Sequence, residues 1–307
     1  MQNIPSSSTY AKIIKECFVA PLRWLFVGAD SASLEDRIDT LLTKDPNKLK
    51  VYTDGYDGHC LRAYSYFGDY MPDIVNTVES INSIKHAYPD FRQDSKAPTF
   101  ALTYQGTWIT LMKNCGFTEE TSKGIESSYH QMYSASDEWK AEKIHKASTN
   151  GYATVAFGLR VRTPLLAQVI LGNNKTPFEA EAEGRTVGNA FGQSYGLMNS
   201  RSCNEVNAAI RASKYRLDIR SCSQIHDAGY WLCRDNLETI KFLNDAVSKA
   251  FSWQELPEIM HDEVTLSGEL DIFYPHWGAA TTLPNFISKQ EIKDICIKEN
   301  TKRKNKK

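Results

Sequence analysis

Between Trp24 and Ala29 six consecutive apolar or small residues, WLFVGA, run up to Asp30. That run is too short for a buried helix and suits a buried strand that delivers an aspartate at its end, with a serine-led helix start at Ser31 or Ser33 behind it. The aromatic-rich stretch 53–67 opens with a turn at Asp57-Gly58 and becomes helical, and helix continues through Lys146 with breaks at Pro72, Pro89 and Gly116. From Asn150 to Pro164 a β-branched and aromatic run framed by glycines predicts a small hairpin. Helix returns near Glu179 and stays long despite its glycines, with Arg185, Asn189 and Gln193 on one face at i, i+4, i+8. Residues 216–233 predict two short strands around a tight His226-Asp227 turn. A helix follows from Asp235, and a last strand lies near 263–272. No repeat of fixed period occurs.

The chain has 307 residues, enough for one large or two smaller domains, and its net charge of −1 excludes a uniformly basic nucleic-acid coat while leaving room for a local basic face. The end TKRKNKK places five cations in seven residues and predicts a solvated, mobile tail. Seven cysteines form no C-x-x-C pair, which suits neither a disulfide framework nor a paired zinc module and points to a reducing, intracellular compartment. There is no cationic start followed by an apolar core and no run of 18 apolar residues, so neither secretion nor membrane spanning is expected.

Two acidic residues, Asp30 and Asp227, sit at strand ends. Each alone reads as a turn or cap; together across neighbouring strands they are oxygen ligands suited to magnesium and phosphoryl transfer. In RQDSKAPTFALTY, Arg92, Lys96, Phe100 and Tyr104 recur every four residues, giving a helical stripe of two cations and two aromatics. Such a stripe can hold a triphosphate and support a base or sugar. It is equally the pattern of an amphipathic helix with core aromatics and solvated cations. Pro98 kinks that helix or begins it, because it lacks an amide donor.

At these residues the chain resembles the family A DNA polymerases. Gln2-Asn3-Ile4-Pro5 resembles the lead into the palm, Asp30 to Arg37 resembles the first motif, and Arg92, Lys96, Phe100 and Tyr104 the second, on the fingers. Gln224-Ile-His226-Asp227 resembles the third motif, His59 the family's D-I-H, Gly151-Tyr152 the fingers hairpin, and Arg185, Asn189 and Gln193 the palm helix. The likeness covers roughly residues 1–280. His261-Asp262-Glu263 imitates the third motif, but its place in the order assigns it to the last strand as a surface feature.

The resemblance implies an α+β fold: a palm with an antiparallel sheet and helices, and a largely helical fingers subdomain inserted in it. Palm would occupy 1–40 and 181–290, fingers 41–180, and a basic tail 291–307. It implies a DNA-directed DNA polymerase that extends a primer end by two-metal phosphoryl transfer, with two Mg²⁺ on Asp30 and Asp227. Arg92, Lys96 and His59 would grip the incoming deoxynucleoside triphosphate, Lys96 also giving a proton to pyrophosphate. Phe100 and Tyr104 would shape the pocket, Phe100 discriminating against dideoxynucleotides, while Glu35 rejects a ribose. Arg185, Asn189, Gln193 and His226 would touch primer-template DNA.

Three features resemble phage branches: Gln105 between Tyr104 and Gly106, Pro98 in the fingers helix, and Ala228 after Asp227. Nothing in the chain resembles a thumb or an exonuclease domain, as in the natural half of a split polymerase or a truncated piece of a longer one, and a second polypeptide supplying the thumb and an exonuclease is the expected partner, in a cytoplasmic setting. The competing reading is a catalytically silent polymerase-like subunit that binds DNA or a replication partner.

Overall fold

The computed structural model describes residues 9–170 and 177–305; the Gln2-Asn3-Ile4-Pro5 segment lies outside them. Seven strands are formed among the described residues: β1 (Trp24–Ser31), β2 (Tyr152–Thr154), β3 (Arg160–Arg162), β4 (Ile219–Ile225), β5 (Ala228–Arg234), β6 (Gly268–Phe273) and β7 (Ala280–Leu283). Five of them make one antiparallel sheet in the order β4-β5-β1-β6-β7, and β2 and β3 make the expected hairpin. The chain divides into two compact units. One contains residues up to Glu35, Tyr195–Glu255 and Thr265 onward; the other contains Asp36–Ser194 and Leu256–Val264.

In the sheet unit the period of two decides everything. Leu25, Val27 and Ala29 of β1, Trp231 and Cys233 of β5, and Leu270 and Ile272 of β6 point to one face and are buried there. Val206, Ile210, Leu243, Val247 and Ile292, from the helices Leu197–Ala212, Leu237–Phe251 and Lys289–Lys304, close over them. Truncating one such leucine to alanine costs about 2–5 kcal/mol. The opposite face carries aromatics: Tyr230 lies 5.5 Å from Phe26 with nearly parallel rings, and Trp277 meets both rings edge-on. With Phe18, Ile225 and Leu232 they line an apolar cleft of about 210 Å³.

Two clusters are packed among the described residues of the helical unit. Leu61, Phe67, Ile81, Ile84, Leu102, Leu111, Ile125 and Tyr133 form the larger, and Ala147, Ala153, Val155, Val187 and Phe191 join the hairpin to the helix Pro177–Gln193. Inside the unit Arg62 donates to Tyr133 Oη (3.0 Å) and Asp36 Oδ1 (2.6 Å), while Tyr52 donates to Asp36 Oδ2 (2.6 Å). Asp39 pairs with Lys48 and, at 3.4 Å, with Lys140. Helix starts are set where short polar side chains can cap them: Asp57, Thr77, Thr118, Asn236 and Ser288 each accept from the first-turn amides.

Several expectations change. The long helix from Glu179 is two helices, 177–193 and 197–212, separated by a 3-10 turn at Ser194–Gly196. The single last strand predicted near 263–272 is β6 followed by β7, and His261-Asp262-Glu263 precedes both, in a bend. Residues 289–304 form one helix rather than a loose tail from Thr301, because Ser288 and Glu291 box its start. Arg303 then donates to the Tyr274 and Ala280 carbonyls at the strand ends. Residues 181–194 cluster with the helical unit. Cys203 is buried in the core, whereas Cys222 is exposed beside a β4 irregularity.

Candidate functional site

Asp30 ends the apolar run on the central strand, paired with Ala228 of β5 on one side and Glu269 of β6 on the other. Because Asp227 immediately precedes Ala228 at the turn joining β4 and β5, the register alone brings the two aspartates together. The Ser31 amide donates to the Asp227 carbonyl (3.4 Å), and Asn199 Nδ2 donates to the His226 carbonyl (3.0 Å), fixing the turn in which His226 adopts a φ of 51°. Among the described residues no cation figures in what shifts Asp30. Partial desolvation and then the Asp227 charge push its carboxyl up to about 6, with Asp271 adding to the rise and the Ser31 amide opposing it. Asp30 nevertheless reaches solvent. Tyr230, on the same face, is pushed up to about 12 by burial and by Asp30, Asp227 and Asp271, so its phenol stays protonated.

Two hard oxygen donors at the ends of neighbouring strands, Asp30 raised by burial and then by the Asp227 charge, fit magnesium, which completes its shell with water and phosphate oxygens. Among the described residues no three or more acidic, His or Cys side chains form a ready-made metal cage. The donor set therefore suits an ion shared with a substrate.

In the helical unit a second set assembles around Asp57. This residue caps the helix Gly58–Phe67 through the His59 and Cys60 amides and accepts from Arg92 at 2.9 Å. Burial works against its ionisation, but the Arg92 hydrogen bond and the capped amides hold Asp57 below the usual carboxylate range. Ser95 Oγ donates to the His59 carbonyl (3.1 Å), tying the two helices. His59 is held below the ordinary imidazole value by burial and then by Arg62, Arg92 and Lys96, and its Nδ1 is buried without a hydrogen-bond partner. Lys96 Nζ bonds Gln93 Oε1 at 2.8 Å.

The predicted stripe is one helical path with a flaw. Helix runs over Pro89–Asp94 and Lys96–Thr103, interrupted at Ser95 because Pro98 cannot donate to the preceding turn. Phe100 is 62% exposed and its ring lies 4.8 Å from that of Tyr104, which stands just past the helix end. Arg185, Asn189 and Gln193 all lie on Pro177–Gln193, Arg185 pairing with Glu181 at 2.7 Å. Glu35 is exposed in the first turn of the helix Leu34–Thr43.

Comparison with known proteins gives this arrangement a lineage: the model of DNA polymerase family A matches residues 1–251. The chain belongs to DNA polymerase family A. Among curated relatives, the thermostable DNA polymerase I of Thermus filiformis is 27% identical over 167 residues, 54% of this chain and 18% of the relative. DNA polymerase I of Pseudomonas aeruginosa is 26% identical over 229 residues, 74% of this chain and 23% of the relative. The chain thus spans less than a quarter of the length of either. The POL domain of Pol1 from M. smegmatis, solved in complex with DNA primer-template and dNTP, shares the fold with a TM-score of 0.71 at 21% identity. That likeness covers 91% of this chain and 45% of the other.

Within this family A chain, the structure brings Asp30, Asp227 and His226 together in one unit, and His59, Arg92 and Lys96 together in the other. His261 instead accepts from the Glu263 and Val264 amides in a local turn, which accounts for the imitation of the third motif. Arg37 lies with its guanidinium 4.6 Å over the Tyr52 ring. Sequence reasoning passed over Asp57 as Arg92's partner, Asp271 as a third charge felt by Asp30, and Tyr230 beside them. The cap position of Asp57 was visible; the other two become visible only once β6 and β5 are registered against Gly28, which faces both.

Proposed function

We propose that this chain adds deoxynucleotides to a primer 3′ end on a DNA template. The single observation that carries the reading is the Asp30–Asp227 corner, two carboxylates brought together by strand register on a family A fold, with Asp227 raising the pKa of Asp30. Asp30 and Asp227 would hold two Mg²⁺. When bound, these ions would activate the primer hydroxyl and stabilise charge on the leaving pyrophosphate. Arg92 and Lys96 bind triphosphate oxygens, Arg92 by exchanging its Asp57 partner for phosphate and Lys96 by leaving Gln93. Lys96 also supplies a proton to the departing pyrophosphate. His59, neutral at physiological pH, donates a hydrogen bond at the phosphates.

Phe100 and Tyr104 shape the base and sugar pocket, and Glu35 crowds a ribose hydroxyl, so deoxynucleotides are selected over ribonucleotides and, through Phe100, over dideoxynucleotides. Arg185, Asn189, Gln193 and His226 contact primer-template DNA through sugars and the minor groove, leaving sequence to be read by pairing. The sheet unit acts as palm and the helical unit as fingers. A second polypeptide carrying the thumb, and an exonuclease if there is one, serves as partner in cytoplasmic, phage-type replication. The phage assignment rests on Pro98, Gln105 and Ala228. Among the described residues no helix is long and apolar enough to cross a membrane.

The test is extension of a labelled primer-template with Mg²⁺ and dNTPs, with and without added thumb-bearing chains, by wild type and Asp30→Ala. Magnesium-dependent extension lost in the variant supports the enzyme. Primer-template binding with no extension under any condition would assign a silent subunit instead.

A further inference from the structure

Helix Lys96–Thr103 ends in a Schellman turn: the Gly106 amide bonds the Ala101 carbonyl (2.8 Å) and the Gln105 amide bonds the Leu102 carbonyl (2.9 Å). In this turn the left-handed position, where glycine is favoured, holds Gln105 at φ 61°. A strained residue persists only where its surroundings over-determine it. Here the side chain does so. Gln105 Nε2 donates to the Arg185 carbonyl (3.2 Å) and to Asn189 Oδ1 (3.3 Å) on the helix Pro177–Gln193. Its carboxamide lies in a notch that exists because residue 188 has no side chain: a Cβ there would sit 1.9 Å from Nε2. Gly106 is equally constrained, since a Cβ on it would meet the Ala101 oxygen at 2.7 Å.

We propose that Gln105 is a positioning residue that sets the polarity of Asn189 at the primer-template. By engaging Asn189 Oδ1 it turns the Asn189 Nδ2 amino group to the other side, as a donor. A donor suits the minor groove, where acceptors are presented by every pair and only G·C adds a donor, so the contact tolerates any sequence. The same bond ties the end of the helix bearing Phe100 to the helix bearing Arg185, Asn189 and Gln193. The inference rests on the polymerase reading and deepens it by naming what orients one DNA contact.

Two variants disturb this bond from opposite sides. Gln105→Glu keeps size and turn but faces two acceptors with an acceptor. Gly188→Ala displaces the flexible amide while improving intrinsic helix propensity. Binding of a labelled primer-template is measured by fluorescence anisotropy on the full chain, alongside thermal melting. Wild-type binding comes first, with and without added thumb-bearing chains: its absence in both conditions defeats the polymerase reading and this inference with it.

With wild-type binding present, both variants should weaken it about five- to tenfold, as should Asn189→Ala. Gln105→Glu combined with Asn189→Ala should be no weaker than Asn189→Ala alone. Gly188→Ala should melt at or above the wild-type temperature, an outcome a merely structural role would pair with undiminished binding. Wild-type affinity in both variants, or an additive double variant, would overturn the role of Gln105 and leave the polymerase reading standing.

Discussion

Along β1 each residue is held from both sides: Asp30 faces Ala228 on one neighbour and Glu269 on the other, so a slip of one residue would send it to the helix-covered face. Along 89–104 no such ladder exists. Arg92 and Lys96 take their directions from a kink at Ser95, an ion pair to Asp57 and a bond to Gln93. The sheet thus fixes its carboxylates even against repulsion, whereas the helical unit holds its cations on Asp57 and Gln93, the partners that the proposed triphosphate would replace. Disturbance of the sheet should therefore act nearly all or none, and disturbance of the helical unit by degrees.

The largest effect is expected from Asp30→Asn. On the proposed function, primer extension should fall about a thousandfold or more, since Asp30 would be one of two carboxylates holding the metals. The folded protein without metal should nevertheless become more stable. Asp30 titrates at about 6 in the fold against 3.8 ordinarily, so the fold binds more protons and its stability falls as pH rises through that interval. Removing the charge recovers this loss at neutral pH. After discounting for solvent screening at an exposed carboxyl, the gain is about 1 kcal/mol, or a few degrees in melting temperature. A lower melting temperature at pH 7.5 would contradict the repulsion on which the metal site is argued.

A glycine from each unit sharpens the comparison. A Cβ at Gly268 would meet the Phe251 ring at 2.5 Å and the Asp30 backbone oxygen at 2.8 Å, and backbone in a registered sheet cannot yield. Gly268→Ala should cost about 2–3 kcal/mol by urea unfolding. Gly192, on the helix 177–193, has open space around its Cβ position. There alanine should be neutral or stabilising by about 0.5–1 kcal/mol. Equal costs at the two sites would erase the distinction between the units.

The same contrast explains what could be read from the chain. β1, the hairpin at His226-Asp227 and the capped helix after Asp57 were legible because apolar period and turn chemistry are local signals. That Asp30 and Asp227 meet was legible only as a pairing of strand ends; Asp271, on a strand whose start was placed about five residues early, was not. Pro98 foretold the flaw in the fingers helix. The Gln105 contact was visible as an odd residue between Tyr104 and Gly106, yet its partner Gly188 lies 83 residues on, and no local pattern links a positive φ to a distant missing side chain. The helix break at Ser194–Gly196 has no proline to announce it.

Acid should loosen the helical unit first. Burial opposes ionisation of Asp36, but the Arg62 charge and the Tyr52 and Arg62 hydrogen bonds hold its carboxyl below the ordinary value. A depressed folded pKa contributes stability that is complete above the unfolded value near 4 and is lost as pH falls through the folded one. Asp36→Asn should cost about 1–2 kcal/mol at pH 7, allowing for the partial exposure of the carboxylate, and the gap to wild type should close below pH 4. Urea midpoints at pH 3 and 7 check this; a gap that stays constant would remove the ion pair from the account.

The smallest effect belongs to His59, and it tests whether a phosphate truly replaces the partners in the helical unit. Burial and the charges of Arg62, Arg92 and Lys96 lower its pKa, so protonation is disfavoured in the free protein. A triphosphate bound there adds negative charge and draws Arg92 and Lys96 onto itself, so the pKa must rise on binding. Nucleotide binding then takes up a proton, and affinity climbs a few-fold as pH drops below the ordinary imidazole value of 6.5. Calorimetric titration of a dNTP in two buffers of different ionisation heat reads that uptake directly, and His59→Gln should abolish it. Uptake of equal size in the variant would assign the proton elsewhere and take His59 away from the phosphates.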